Sequence, residues 1–391
     1  MPVLPMFDRP TDPDAWHRVA APGGYEWWYF DAEDAAGRYR LVGIFLEGFV
    51  FHPGYLRRYT AYRRNPTRRP PPVAGEFPCA YFVLYDGDTI VGQFMEQVRP
   101  GDFAASAERP DVRVGASRFR RDADGAYRLS MAGTPWRLTW RGPRRADGQV
   151  LSADLTFRPL SPPGATERRF LSRALSGAEH RWVVADPLCD VSGTIHLGPA
   201  PVTRADGSVP LTAAGAAAGA EDRPAVGQTI AFAGRGYHDH NYGTAPIGPG
   251  LKRWVWGRAI VPGAPAAGGG DRMYTFHFAR ARDRRLPDEV HLVRADAAGR
   301  ADVPVAAAAV DWSRRSPLGL AYPAAINFPP YLALSNPRVI DSTPFYLRLV
   351  YDAAVDGGAS RTTAFCEVAY PHRLRWPVLG RMIELSIHRP G

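Results

Sequence analysis

The densest concentration of reactive side chains in this chain is Gly234-Arg235-Gly236-Tyr237-His238-Asp239-His240-Asn241-Tyr242-Gly243. It sets a carboxylate, two imidazoles and two phenols between glycines that permit a sharp turn or a close backbone approach. Asp and His move protons and bind metals, and a phenol relays a proton or holds a carboxylate by hydrogen bonding. If the segment is extended, its side chains alternate between faces. Tyr237, Asp239 and Asn241 then share one face, and His238, His240 and Tyr242 share the other.

Two more stretches carry groups of this kind. His180-Arg181-Trp182 places an imidazole and an indole on one face of a strand. Tyr25-Glu26-Trp27-Trp28-Tyr29-Phe30-Asp31 is too aromatic for a solvent-facing strand, and in it Glu26, Trp28 and Phe30 share a face, setting a carboxylate among rings. The simplest expectation for Glu26 is an arginine partner at a sheet edge. A metal on His238 and His240 would need more than an i, i+2 histidine pair, and no third His or Cys ligand stands nearby in sequence, so no metal is assigned. The segment can also be read as a buried polar network that fixes a junction between domains.

The elements that must position these groups read as short strands. The chain holds 38 Pro and 39 Gly, together roughly a fifth of its residues against a usual share of about 12%. Strand candidates fall at 25–31, 38–51 (a pair), 81–85 and 89–95, with Asp86-Gly87-Asp88 as a hairpin turn. Others lie at 113–119, 127–131, 136–140 and 151–157. Residues 198–225, rich in Ala and Gly, read as an inserted loop without a core. Arg253-Trp254-Val255-Trp256-Gly257-Arg258 echoes the Trp27-Trp28 strand and opens a second series. Its members are 273–279, 289–294, 303–311, 346–353 and 362–370, and 376–387 is either a last strand or a short amphipathic segment. The expected architecture is all-β, with one β-domain over 1–243 and a second over 244–391, each a barrel or sandwich.

With 391 residues, 45% of them hydrophobic, the chain can bury one large core or two medium ones. The formal charge is +9, and Lys252 is its one lysine. The arginines lie in scattered pairs such as Arg57-Arg58, Arg63-Arg64, Arg68-Arg69 and Arg314-Arg315, a pattern of solvated hairpin ends that argues against nucleic acid and leaves peripheral membrane contact open. Cys79, Cys189 and Cys366 are far apart, as expected of buried thiols. No basic, apolar leader and no uninterrupted apolar run of about 18 residues occurs, so a soluble, cytoplasmic protein is expected.

These residues resemble the carotenoid 1,2-hydratase (hydroxyneurosporene synthase) family and its lipocalin-like relatives. The likeness rests on the aromatic strand 25–30, on His180-Arg181-Trp182 with Ala185 and Pro187, and on Gly236-Tyr237-His238-Asp239-His240-Asn241-Tyr242-Gly243. It continues in Thr343-Pro344-Phe345-Tyr346-Leu347-Arg348 and in the basic, apolar stretch 375–382. It implies two tandem lipocalin-like β-domains with a site near their junction, and a cofactor-free addition of water to the terminal double bond of an acyclic carotene. The residues it points to as catalytic are His180, Trp182, Tyr237 and Asp239. Where the hydratases of phototrophs tend to read Gly-Tyr-Leu-Asp-Ala-Asn, this chain reads Gly-Tyr-His-Asp-His-Asn, and the 198–225 insert lengthens the spacing between the two motifs.

Such a hydration needs an acid strong enough to protonate one alkene carbon and a water to capture the tertiary cation on the other. An Asp can serve only if protonated at working pH, which burial among rings favours. Asp239 is the expected donor, Tyr237 its hydrogen-bond partner or relay, Trp182 the π face for the cation, and His180 the group that orients water. Glu26, Trp28, His238, His240, Trp254 and Trp256 are expected to line the site of a hydrophobic small-molecule substrate. An isoprenoid carrier and a pericyclase that shapes a polyene remain open alternatives.

Overall fold

The computed structural model describes residues 6–139, 142–146, 148–170, 178–199, 227–263, 270–305 and 308–390. Nearly all of the 198–225 insert therefore lies outside the described residues. The first series of strands comprises β1 (Tyr25–Asp34), β2 (Tyr39–Glu47), β3 (Cys79–Asp86), β4 (Thr89–Gln97), β5 (Phe103–Ala105), β6 (Asp111–Val114), β7 (Ser117–Arg121) and β8 (Tyr127–Gly133). It continues with β9 (Trp136–Thr139), β10 (Gly142–Arg145), β11 (Gln149–Pro159), β12 (Thr166–Phe170), β13 (His180–Pro199) and β14 (Gln228–Gly243). The second comprises β15 (Leu251–Val261), β16 (Arg272–Ala281), β17 (Glu289–Asp296), β18 (Gly299–Asp302), β19 (Ala309–Asp311), β20 (Arg314–Arg315), β21 (Ala321–Tyr322), β22 (Ala325–Phe328), β23 (Leu332–Ser342), β24 (Tyr346–Val355) and β25 (Ser360–Ala369).

Two large antiparallel sheets result, and they share a wiring. In the first the order is β4-β3-β2-β1-β14-β13-β11-β8-β7-β6-β5, with β12 beside β13. In the second it is β18-β17-β16-β15-β25-β24-β23-β22-β19. Each opens with a four-strand meander whose first strand also pairs with the sheet's last strand. The tryptophans of β1 and β15 thus occupy equivalent central strands, which is the structural content of their echo in sequence. The expected all-β architecture of two tandem curled sheets is what the chain adopts.

The sheets curl around one apolar face, and their central strands, such as β1, β2 and β15, are buried on the other face as well. Edge strand β4 comes round to β8 and β11: a Cβ added at Gly133 would lie 2.5 Å from the Phe94 ring. Trp28, Phe30, Phe45, Phe82, Phe119, Met131 and Phe157 fill the inside of the first sheet, and Val255, Tyr274, Phe276, Phe328, Leu349 and Tyr351 fill the second. The opposite faces meet in a third core joining Tyr25, Trp27, Tyr29, Val42, Trp182 and Tyr237 to Trp256, Ile260, Met273 and Phe365. Burial of each such side chain contributes roughly 1.5–3 kcal/mol. A buried ion pair crosses the same interface, Arg258 Nε donating to Asp31 at 2.6 Å; Arg348, which donates to Glu367 of its own sheet at 3.1 Å, crosses it by donating to the Tyr81 and Tyr85 hydroxyls at 2.9 Å.

The segments 38–51 and 303–311 depart from expectation, the latter being strand only at β19 among its described residues. The strand pair expected over 38–51 is β2 alone, followed by helix α1 (Pro53–Arg64), which starts on a His52 cap with Pro53 in its first turn. Of the two readings of 376–387, the short amphipathic segment is the one realised, as helix α2 (Pro377–Ser386). Beyond α2 the chain returns to the first sheet, where His388 exchanges backbone hydrogen bonds with Met95 and Gln97 at 2.8 Å and covers the open edge of β4.

Candidate functional site

Strand β14 pairs with β1 on one side and β13 on the other, so Tyr29 and Asp239 are cross-strand partners, as are Trp182 and Asn241. The alternation read from sequence is realised: Tyr237 and Asp239 face the junction between the sheets, and His238 and His240 face the interior of the first sheet.

On the junction face, Asp239 is buried and pairs with no guanidinium among the described residues. Its Oδ2 accepts from the Tyr237 hydroxyl at 2.7 Å and from the Trp182 indole at 2.9 Å, and Oδ1 accepts from the Asn241 amide at 2.9 Å. Burial pushes its carboxyl up to about 7, against the opposing hydrogen bonds of Tyr237 and Trp182. Near neutral pH this acid is therefore partly protonated. Rings enclose it: Trp256 lies 5.2 Å from Tyr237 and 5.0 Å from Tyr29, and His277 lies 4.1 Å from Trp182. Trp254 donates its indole N–H to His277 Nδ1 at 2.8 Å. His180 sits at the flank, its Nδ1 2.7 Å from the Tyr25 hydroxyl and its ring 5.7 Å from Trp27 and 5.9 Å from Trp254. Burial lowers its pKa to about 3 and keeps it neutral. The structure thus gathers Asp239, Tyr237, Trp182 and Trp256 closely, with His180 and Trp254 beside them.

Glu26, Trp28, His238 and His240 lie on the other side of the same two strands. Glu26 does not meet an arginine. Its Oε1 accepts from the His17 backbone N–H at 2.8 Å and lies 3.0 Å from His17 Nδ1 and 2.9 Å from His240 Nε2. Sequence favoured a guanidinium because His17 stands on an irregular leading segment that meets β1 only in space. Trp28 stacks on His240 at 4.5 Å and donates to the Asp14 carbonyl at 3.0 Å. His238 stacks on Phe30 at 3.9 Å, with Nδ1 2.9 Å from the Tyr29 carbonyl and Nε2 3.0 Å from Asp14 Oδ2. Burial raises the Glu26 carboxyl well above its usual range, pulls His17 down to about 4 and lowers His240 well below its usual value. The ligand atoms of His17, Glu26 and His240 lie within 4.8 Å of one another, a three-residue group with metal-binding composition. Its third member, His17, escaped the sequence reading, as did Asp14. Glu367 escaped it too: it accepts from the Tyr29 hydroxyl at 3.2 Å on the junction face.

Two curled sheets with equivalent wiring, packed over a buried acid in an aromatic enclosure, define a two-sheet lipocalin-like β protein. No protein-family model matches the chain. It is 31% identical over 249 residues to the hydroxyneurosporene dehydrogenase of Chlorobaculum tepidum, covering 63% of this chain and 56% of that one. It is 27% identical over 266 residues to the acyclic carotenoid 1,2-hydratase of Rubrivivax gelatinosus, covering 67% and 49%. The match therefore spans about half the length of these curated relatives. The crystal structure of an AttH-like protein from Nitrosomonas europaea shares the fold, with a TM-score of 0.55 at 15% identity over 95% of this chain and 99% of that one. The chain is thus related in sequence to carotenoid-modifying proteins, a hydroxyneurosporene dehydrogenase and acyclic carotenoid 1,2-hydratases among them.

Proposed function

We propose that this protein is a carotenoid-modifying enzyme that adds water to the terminal C=C of an acyclic carotenoid or related isoprenoid. The observation that carries the reading is Asp239, a buried carboxyl at about 7 inside a ring of indoles and phenols. Asp239 donates its proton to the less substituted alkene carbon, and the π electrons form the new C–H bond. The tertiary cation left behind is stabilised by Trp182 and Trp256, an attraction of up to about 2 kcal/mol when desolvated. Water adds to that cation, its spare proton passes to neutral His180, and Asp239 recovers a proton from there or from solvent. Tyr237 holds Asp239 in register throughout. No cofactor enters this scheme.

The same reading takes residues 1–243 and 244–391 as two domains that create the site at their contact. It also brings the protein to a membrane surface, since an acyclic carotene resides in lipid. α2 supports this: it buries Ile383 in the junction core while exposing Val378 (71%), Met382 (38%) and Leu385 (55%), which fall on one side at helical spacing beside exposed Trp376. Arg375, Arg381 and Arg57 are exposed around this stripe and suit an anionic headgroup layer. No helix among the described residues is long and apolar enough to cross a membrane. The decisive test is incubation with neurosporene or lycopene in ¹⁸O-labelled water, followed by mass spectrometry. A tertiary alcohol carrying the label is expected; no incorporation from any acyclic terpene tested refutes the hydratase reading.

A further inference from the structure

We propose that His17, Glu26 and His240 form a binding site for one divalent transition-metal ion, separate from the junction face and independent of the reaction assigned there. The three residues come from three places in the chain: the leading segment, β1 and β14. All are buried, with their ligand atoms within 4.8 Å of one another. Donor atoms that lie about 2.1 Å from one ion are about 3.0 Å apart at right angles and about 3.4 Å apart in the tetrahedral arrangement of Zn²⁺. His17 Nδ1 and His240 Nε2 stand 3.0 and 2.9 Å from Glu26 Oε1. Two imidazoles and one carboxylate suit a borderline cation of the Zn²⁺ or Fe²⁺ kind better than Mg²⁺ or Ca²⁺, which prefer oxygen ligands throughout.

The atoms left without hydrogen-bond partners support an ion over a self-contained network. Glu26 Oε2 and Asp14 Oδ1 are both buried and have no hydrogen-bond partner among the described residues. Glu26 Oε2 is the free half of the carboxylate that would chelate. His240 Nδ1 lies 3.6 Å from Asp14 Oδ1. With a metal on Nε2, the ring proton must sit on Nδ1, on the side of the Pro13 backbone and the Asp14 carboxylate, the kind of outer partner that orients metal-bound histidines elsewhere. Asp14 is held in place by Tyr127, whose hydroxyl donates to its Oδ2 at 2.8 Å. The ion would also balance the charge of two carboxylates in an apolar interior.

The test uses the full chain, stripped with chelator, loaded with Zn²⁺ and separately with Co²⁺, then gel-filtered and analysed for bound metal and by titration calorimetry. One equivalent per chain and a rise in unfolding temperature on loading are expected. Glu26→Gln, which keeps the shape, should weaken binding at least about 100-fold, and Asp14→Asn, which spares all three ligands, about 10- to 100-fold. Circular dichroism reports whether each variant is folded, and Asp14→Asn carries the test if Glu26→Gln is not. Wild-type protein that retains no more metal than these variants, or a melting temperature that metal does not move, overturns the proposal.

Discussion

Replacing Asp239 by asparagine should remove a pH dependence of stability that the wild-type protein carries. The carboxyl has its ordinary value near 3.8 in the unfolded chain and about 7 when folded. Between those values the folded state keeps a proton that the unfolded chain releases, so the unfolded state binds fewer protons and stability falls as pH rises from about 4 through 7. Above that it levels off, and the total loss is roughly 4 kcal/mol. Asparagine does not ionise. Its carbonyl oxygen can still accept from Tyr237 and Trp182, and its amide can donate to Asn241 Oδ1, which has no partner in the present orientation. The variant should therefore sit within about 1 kcal/mol of wild type near pH 4 and exceed it by roughly 3 kcal/mol at pH 8. Urea unfolding from pH 4 to 8 measures this as a difference between the two proteins, so the pH slopes contributed by Glu47 and Asp186, also raised by burial, cancel. The same variant should lose about 10²- to 10⁴-fold of its labelled-water incorporation. A stability difference that does not change with pH would falsify the protonated acid, and retained turnover would point to a polyene-shaping enzyme instead.

Other consequences are as direct. The indole N–H of Trp182 holds the Asp239 carboxyl down, so Trp182→Phe should move the alkaline limb of the turnover–pH profile upward by about one pH unit; an unmoved limb separates Trp182 from the acid. Asp31→Asn leaves the buried Arg258 guanidinium only the more distant Glu33 carboxylate at 3.9 Å and should cost about 3 kcal/mol in urea unfolding; a loss under about 1 kcal/mol would show the pair to be dispensable. Glutamates at Val378, Met382 and Leu385 together should abolish co-sedimentation with anionic liposomes while leaving the melting temperature within a few degrees; undiminished sedimentation would place the lipid contact elsewhere.

Period two and turn chemistry account for the features that were legible in the sequence. The opposed faces of Tyr237-His238-Asp239-His240, the hairpin at Gly87, and the pairing of Trp27-Trp28 with Trp254-Val255-Trp256 as equivalent strands all rest on local pattern. The α1 helix was not legible because only Pro53 and Tyr55 are buried, leaving no 3.6-residue stripe among its arginines and tyrosines. Asp14 and His17 were not legible because their segment has no regular period and acquires its meaning from β1 and β14, far along the chain. The division of the ten candidate residues into two sites has the same origin. Alternation tells that His238 and Asp239 face apart, but the tertiary fold alone tells which face meets the second sheet. Composition could show that Glu26 sits among rings, whereas its imidazole neighbours depend on where the leading segment crosses.

The return of the chain to β4 through His388 imposes an order on events in the cell. Glu96 and His388 are 292 residues apart, so at ~5–20 residues per second the ribosome needs roughly 15–60 s to deliver the closing segment after β4 has emerged. Throughout that interval the nascent first sheet presents a bare strand to its surroundings, and a chaperone that shields it need only hold on until the segment around His388 brings the chain's own cover.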